Sequence, residues 1–149
     1  MKNVLFVLLL FSACTPKPKD ISKQAAAEII KTDIAMNDMA VKEGFHITLL
    51  QFADDSLVKP QDGEYPVIGK TALEKYWSGK PDTKAISWSP FKAEAAQSGD
   101  LGYSLGNWKF VTKDSTYFGN YYTIWKKHTD GSWKFVVDGG NNTPAPVKN

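Results

Sequence analysis

The chain contains no arginine; all 18 of its basic Lys+Arg positions are lysine. Phosphate and guanine are read best by the planar guanidinium fork, so dedicated nucleic-acid recognition is not expected. Cysteine is scarce too. Cys14 is the only one, which rules out an internal disulfide. Of the two histidines, His46 has no clustered Cys, Asp or second His at ligand spacing, and no metal site and no cofactor is expected. His46 reads as a surface or capping residue and His128 as solvent-exposed beside a turn. Serine-histidine-aspartate, cysteine-histidine and phosphate-loop patterns are missing, and a net charge of +2 implies no strong field. The longest apolar run, Val4 to Phe11, is too short to span a bilayer.

What remains is ample core material. A chain of 149 residues that is 42% hydrophobic and 13% aromatic suits one domain. Its clearest stretch is Ser98 to Asn142, where aromatic and β-branched runs at Leu101–Val111, Tyr117–Lys127 and Ser132–Asp138 alternate with polar turns. This predicts an antiparallel meander. A three-residue loop at Thr129-Asp130-Gly131 sets Trp125 opposite Phe135 and Lys126 opposite Lys134, with Tyr122 opposite Asp138. A loop centred on Asp114 sets Tyr103 beside Trp125 and Asn107 beside Tyr121. One face then carries Tyr103, Leu105, Trp125 and Phe135 and turns polar at Asn107 and Tyr121. The other carries Trp108, Phe110, Phe118, Tyr122 and Ile124, with Asp138 among them. A slip of one residue would exchange the faces.

Earlier in the chain, Ser22 as N-cap and Gly44 as the terminating glycine bracket one long helix. Ala26, Ile30, Ile34 and Val41 form its apolar stripe, which Asp33 and Asn37 interrupt or border. Phe45–Ala53 reads as a second helix, a strand follows to Pro60, and Gly69-Lys70-Thr71 opens a third helix ending at Trp77. Ile86–Gln97 is a strand that Pro90 places at an edge or a bulge. Helices followed by a meander make an α+β domain over residues 21–142, with a tail at 143–149.

Met1–Ala13 has the layout of an export signal. Phe11-Ser12-Ala13-Cys14 resembles the bacterial lipoprotein processing box, which implies lipid on Cys14 and a membrane partner. Residues 14–20 would then be the tether, its proline- and lysine-rich composition suited to extended chain. Thr15, where inner-membrane lipoproteins tend to carry Asp, implies the outer membrane facing the periplasm. An ordinary cleaved signal with an incidental cysteine is the alternative.

Phe52-Ala53-Asp54-Asp55 before a strand, Gly69-Lys70-Thr71-Ala72-Leu73 and the closing Gly119–Gly140 stretch resemble the ketosteroid isomerase and nuclear transport factor 2-like (SnoaL-like) superfamily. Ser98–Tyr103, Tyr121–Lys127 and Asp130–Asn141 are similar to a branch of exported bacterial proteins of unassigned function. The resemblance implies a cone of three helices on a bent antiparallel sheet, a mouth that admits a small apolar molecule, and a homodimer through the outer sheet face. It does not carry the isomerase reaction, because the family's general base falls near Pro60 and its oxyanion-binding tyrosine near Met36. Asp62 sits close to Pro60, but in an Asp-Gly pair that turn-making explains.

Three functions are open to such a chain. A binder of a small apolar molecule would use its rings: Tyr76, Trp77, Trp88, Tyr103, Tyr121 and Trp125. An enzyme of proton transfer, dehydration or hydrolysis would use a buried carboxylate, Asp33 or Asp138, partnered by Asn37, Asn107, Tyr121 or Tyr122. An accessory module would use the outer sheet face. The pocket expected from the faces above has Asp33, Asn107 and Tyr121 as its polar points, with Asp138 on the opposite side of the sheet.

Overall fold

The computed structural model describes residues 19–147; the expected export signal, Cys14 and most of the expected tether lie outside them. Nine elements follow one another: α1 Ser22–Glu43, α2 Phe45–Phe52, β1 Ala53–Gln61, β2 Glu64–Ile68, α3 Lys70–Trp77, β3 Ile86–Ala95, β4 Leu101–Val111, β5 Thr116–Lys127 and β6 Trp133–Thr143. The strands form one sheet in the order β2-β1-β6-β5-β4-β3. Three helices pack on this curled sheet, the α+β cone of the nuclear transport factor 2-like fold. The sheet is mixed rather than wholly antiparallel, since β1 runs parallel to β6. An additional hairpin, β1–β2, stands between the second and third helices.

α1 buries Ala25, Ile29, Asp33, Met36 and Ala40, a stripe turned by one residue from the expected one. Ile34 and Val41 are 45% and 40% exposed. Small Ala25 and Ala40 let the helix lie close to the sheet, and Asp33 has its hydrogen-bond donors there. Ser22 is the first helical residue rather than the cap; its amide donates to Asp20 Oδ1 at 3.0 Å. Gly44 closes α1 and opens α2 at φ 126°, a value costly to any residue with a Cβ. Asp82, from the loop after α3, then caps α2 by accepting the amides of His46 (2.8 Å) and Ile47 (3.2 Å).

Leu49, Leu57, Leu73, Trp125 and Phe135 are fully buried between helices and sheet. Each such side chain contributes roughly 1.5–3 kcal/mol. Trp125 meets Phe135 edge to face at 6.3 Å, and the expected pairs Trp125–Phe135 and Lys126–Lys134 are present. β3 is an edge strand with a bulge at Pro90–Lys92.

Two local features shift the expected register. The β4–β5 turn leaves four residues, Thr112–Ser115, between the paired Val111 and Thr116, closed by the Thr112 amide on the Ser115 carbonyl at 2.8 Å. An even loop in place of an odd one moves every partner by one residue. Trp125 therefore faces Gly102, Tyr121 faces Gly106, and Asn107 faces Asn120. Tyr103, Leu105 and Asn107 belong to the outer face, and Trp108 to the inner one. The second feature is a bulge in β6, where Ile124 pairs with Val137 while Trp125 still pairs with Phe135. The extra residue, Val136, sets Asp138 opposite Thr123 and brings it to the helix side. The expected separation of Asp138 from Tyr121 is thereby corrected: both point into the cone.

Candidate functional site

Between α1, α2 and the open end of the sheet lies a cavity of about 320 Å³. Met36 and Phe45 wall it from the helices, and Ile86, Trp88 and Trp108 from β3 and β4. The rings have room because the strands beside them carry glycine. A Cβ on Gly106 would lie 2.3 Å from the Tyr121 ring, and one on Gly119 would lie 2.2 Å from that of Trp108.

One side of the cavity is polar. Lys59 Nζ donates to Asp138 Oδ2 at 2.5 Å, and Thr123 Oγ1 donates to Asp138 Oδ1 at 3.0 Å. Both ionic side chains are only 14% exposed. Gln61, two residues beyond Lys59, lines the same space, and its Nε2 is buried without a hydrogen-bond partner among the described residues.

Asp33 sits one layer behind, 1% exposed. The Trp88 indole N–H donates to Oδ1 at 2.8 Å and the Tyr121 hydroxyl to Oδ2 at 2.9 Å. Burial pushes its carboxyl above the ordinary 3.8; hydrogen bonds from Ser104, Tyr121 and Trp88 oppose this, and the negative charge of Asp138 adds to it. Ser104 in turn accepts the Trp125 indole N–H at 2.9 Å. Burial and the neighbouring Asp33 hold the Tyr121 hydroxyl far above its usual range, so it stays a proton donor in the network.

The structure therefore gathers Asp33, Trp88, Tyr121 and Asp138 at one place. Asn37 stands beside them in a supporting position, its Oδ1 accepting the Trp88 amide at 2.8 Å. Trp125 lies in the core. Trp77 stacks on His46 at 4.4 Å, and Tyr76 reaches Glu64 at 3.4 Å with the Lys80 ammonium over its ring. Tyr103 donates to Glu94 at 2.8 Å, and Asn107 accepts from Asn120 at 2.6 Å, both on the outer face. His128 is solvent-exposed as expected, and it also pairs with Asp54, its Nε2 lying 2.8 Å from Asp54 Oδ2.

Sequence reasoning missed Lys59, Gln61 and Thr123. Strand alternation was the available signal, because Lys59 and Gln61 follow the apolar Leu57 at steps of two and share its inward face. Among the described residues no cluster of His, Cys, Asp and Glu is arranged to hold a metal ion.

No family model matches the sequence, and no curated protein matches it either. Solved structures do match in fold. A provisionally named ketosteroid isomerase from Parabacteroides distasonis superposes with a TM-score of 0.65 at 16% identity, covering 78% of this chain and 89% of that one. A nuclear transport factor 2-like protein of unknown function from Pseudomonas putida gives 0.63 at 19% identity, over 85% and 90%. SalBIII, an epoxide hydrolase/cyclase-like enzyme of pyran ring formation in salinomycin, gives 0.53 at 13% identity, over 80% and 95%. At such identities the likeness is one of fold, a scaffold that serves unrelated activities.

Proposed function

We propose that this nuclear transport factor 2-like cone binds a small, largely apolar molecule without converting it. The observation that carries this is the state of the two carboxylates at the cavity. Both Asp33 oxygens accept from Trp88 and Tyr121, and both Asp138 oxygens accept from Lys59 and Thr123. Each oxygen is thus already engaged by a donor of the protein, which makes it a weaker base toward a bound molecule. An aromatic-walled space of about 320 Å³ is within the range of small-molecule pockets. Thermal unfolding of the chain across a panel of apolar metabolites tests the reading: a concentration-dependent rise in midpoint supports it, and a flat response to the whole panel opposes it.

A second reading, proton transfer by Asp138, is favoured by one feature: its partner Lys59 is a largely buried cation beside an aromatic-walled space. Some proteins of this fold carry enzyme names. Turnover of a bound compound that Asp138→Asn abolishes would select this reading over the first.

We further propose that the domain is held at the cell envelope, on the outer membrane facing the periplasm, by lipid on Cys14. Fractionation of expressing bacteria should find it with membranes and find Cys14→Ser in the soluble fraction; wild type in the soluble fraction would oppose the anchor. Homodimerisation is proposed through the outer sheet face at Leu105, Phe118, Tyr122 and Ile124, with Trp108 no longer part of that patch. Analytical ultracentrifugation should give twice the chain mass, and a monomer at high micromolar concentration would contradict it.

A further inference from the structure

The polar wall of the cavity presents both signs of charge side by side. β1 runs parallel to β6 with Val58 beside Val137, which sets Lys59 next to Asp138. Farther along β1 come Gln61 and then Asp62, the latter exposed on the turn into β2. All four line the same space. Lys59 uses one N–H on Asp138 and has two more with no partner among the described residues. Gln61 Nε2 is buried and has no partner among them either, which costs free energy until an acceptor reaches it. The Asp62 carboxylate forms no ion pair among the described residues.

A ligand of one sign would use half of this wall. An anion finds donors at Lys59 and Gln61, but Asp138 already compensates the lysine and Asp62 adds a second negative charge. An amine finds acceptors at Asp62 and at the remaining lone pairs of Asp138, yet it leaves the Gln61 N–H stranded. A hydrocarbon serves neither side. A carboxylate and an ammonium on one molecule answer both, and together they bring no net charge to the lining. The apolar remainder of such a molecule has its place as well. Trp88 and Trp108 use their indole N–H groups on Asp33 and on the Asn120 carbonyl, so their rings offer apolar contact, with Phe45 edge to face against Trp88 at 6.1 Å.

We propose that the cavity is a site for a free α-amino acid with an aromatic side chain. The ligand carboxylate accepts from Lys59 and Gln61, its ammonium donates to Asp62, and its ring lies among Trp88, Trp108 and Phe45. This assignment rests on the small-molecule reading above and gives it a ligand class.

Four probes on one phenylethyl frame test it by calorimetric titration of the full chain: phenylalanine with both groups, 2-phenylethylamine with the ammonium alone, 3-phenylpropionate with the carboxylate alone, and ethylbenzene with neither. Phenylalanine should bind about tenfold more tightly than each of the others, the worth of one well-placed hydrogen bond. Gln61→Leu removes an N–H that has no partner among the described residues; it should weaken phenylalanine and 3-phenylpropionate and leave 2-phenylethylamine unchanged. Asp62→Asn, on an exposed turn, should weaken phenylalanine and 2-phenylethylamine but not 3-phenylpropionate. Any of the three simpler probes binding as tightly as phenylalanine would overturn the amino-acid assignment while leaving the pocket reading standing. If none of the four binds, the pocket reading falls with it. The wild-type ranking decides the matter even if a variant is poorly folded.

Discussion

Helix α1 presents two carboxylates, Glu28 toward the β5–β6 turn and Asp33 toward the cavity, and each is held by side-chain donors. Glu28 receives Lys127 Nζ at 2.6 Å, Gln24 at 3.0 Å and the Trp133 indole at 3.1 Å. Chiefly through Lys127, its carboxyl is pulled down to about 2. Asp33, five residues on, receives Trp88 and Tyr121 but no cation, and burial pushes it the other way. The difference lies chiefly in the cation and in the water that still reaches Glu28. The end near the β5–β6 turn is a latch, reinforced by His128 on Asp54. Burial works to raise Asp54, but the Ser56 hydroxyl and amide together with His128 outweigh it and bring it to about 2. The cavity end is a buried network of neutral donors around a carboxyl under strain of desolvation, and strain of that kind belongs where a fold keeps space for function.

The largest test of this contrast is Asp33→Ala. It strands the Trp88 and Tyr121 donors in the interior, and we expect a loss of about 2–4 kcal/mol in denaturant unfolding. A loss under about 1 kcal/mol would show that the network is not holding the two halves of the cone together. Glu28→Gln keeps the shape and removes a charge that is partly solvated, so about 1 kcal/mol is expected. His128→Ala should cost less again, up to about 0.5 kcal/mol, since its pair with Asp54 is open to water on one side.

The pH dependence of the first two sites has opposite sign. A carboxyl lowered on folding, as Glu28 is from 4.5, contributes stability that is complete above pH 4.5 and is lost as pH falls through about 2. The cost of Glu28→Gln should therefore shrink toward acid. Asp33 is raised on folding, so the folded state holds its proton more tightly than the unfolded chain, and stability declines as pH rises from 3.8 through the folded value. The cost of Asp33→Asn should be greatest in acid and shrink toward neutrality. Unfolding curves at pH 3, 5 and 7 would reveal the two trends, and parallel trends would erase the distinction between the ends.

Much of the scaffold was legible from residue types. β4 was bounded at Leu101 and Val111 as found, Gly44 marked the end of α1, and Pro90 marked an edge strand with a bulge. The faces were harder. Thr112–Ser115 can turn with either parity, and nothing in a Thr-Lys-Asp-Ser string reveals an even loop, yet parity decides whether Trp108 or Asn107 points inward. The bulge at Val136 is equally silent, because an apolar residue suits either side of a sheet covered by core. It alone brings Asp138 into the cavity. The Lys59–Asp138 pair joins residues 79 positions apart, through the parallel contact of β1 with β6, and no local pattern encodes such a contact. Tyr103 and Asn107 were misplaced for the same reason of parity.

The most direct measurement is a methyl-resolved NMR titration of the chain with phenylalanine. Three sets of methyls report on three regions: Met36, Leu49 and Ile86 on the cavity, Ile29 and Leu57 on the closed core, and Leu105 and Ile124 on the outer face. We predict saturable shifts for the cavity set, with the core and outer sets nearly still. Shifts led by Leu105 and Ile124, or no saturable shift at Met36, Leu49 and Ile86, would contradict the assignment of the cone interior as the binding site.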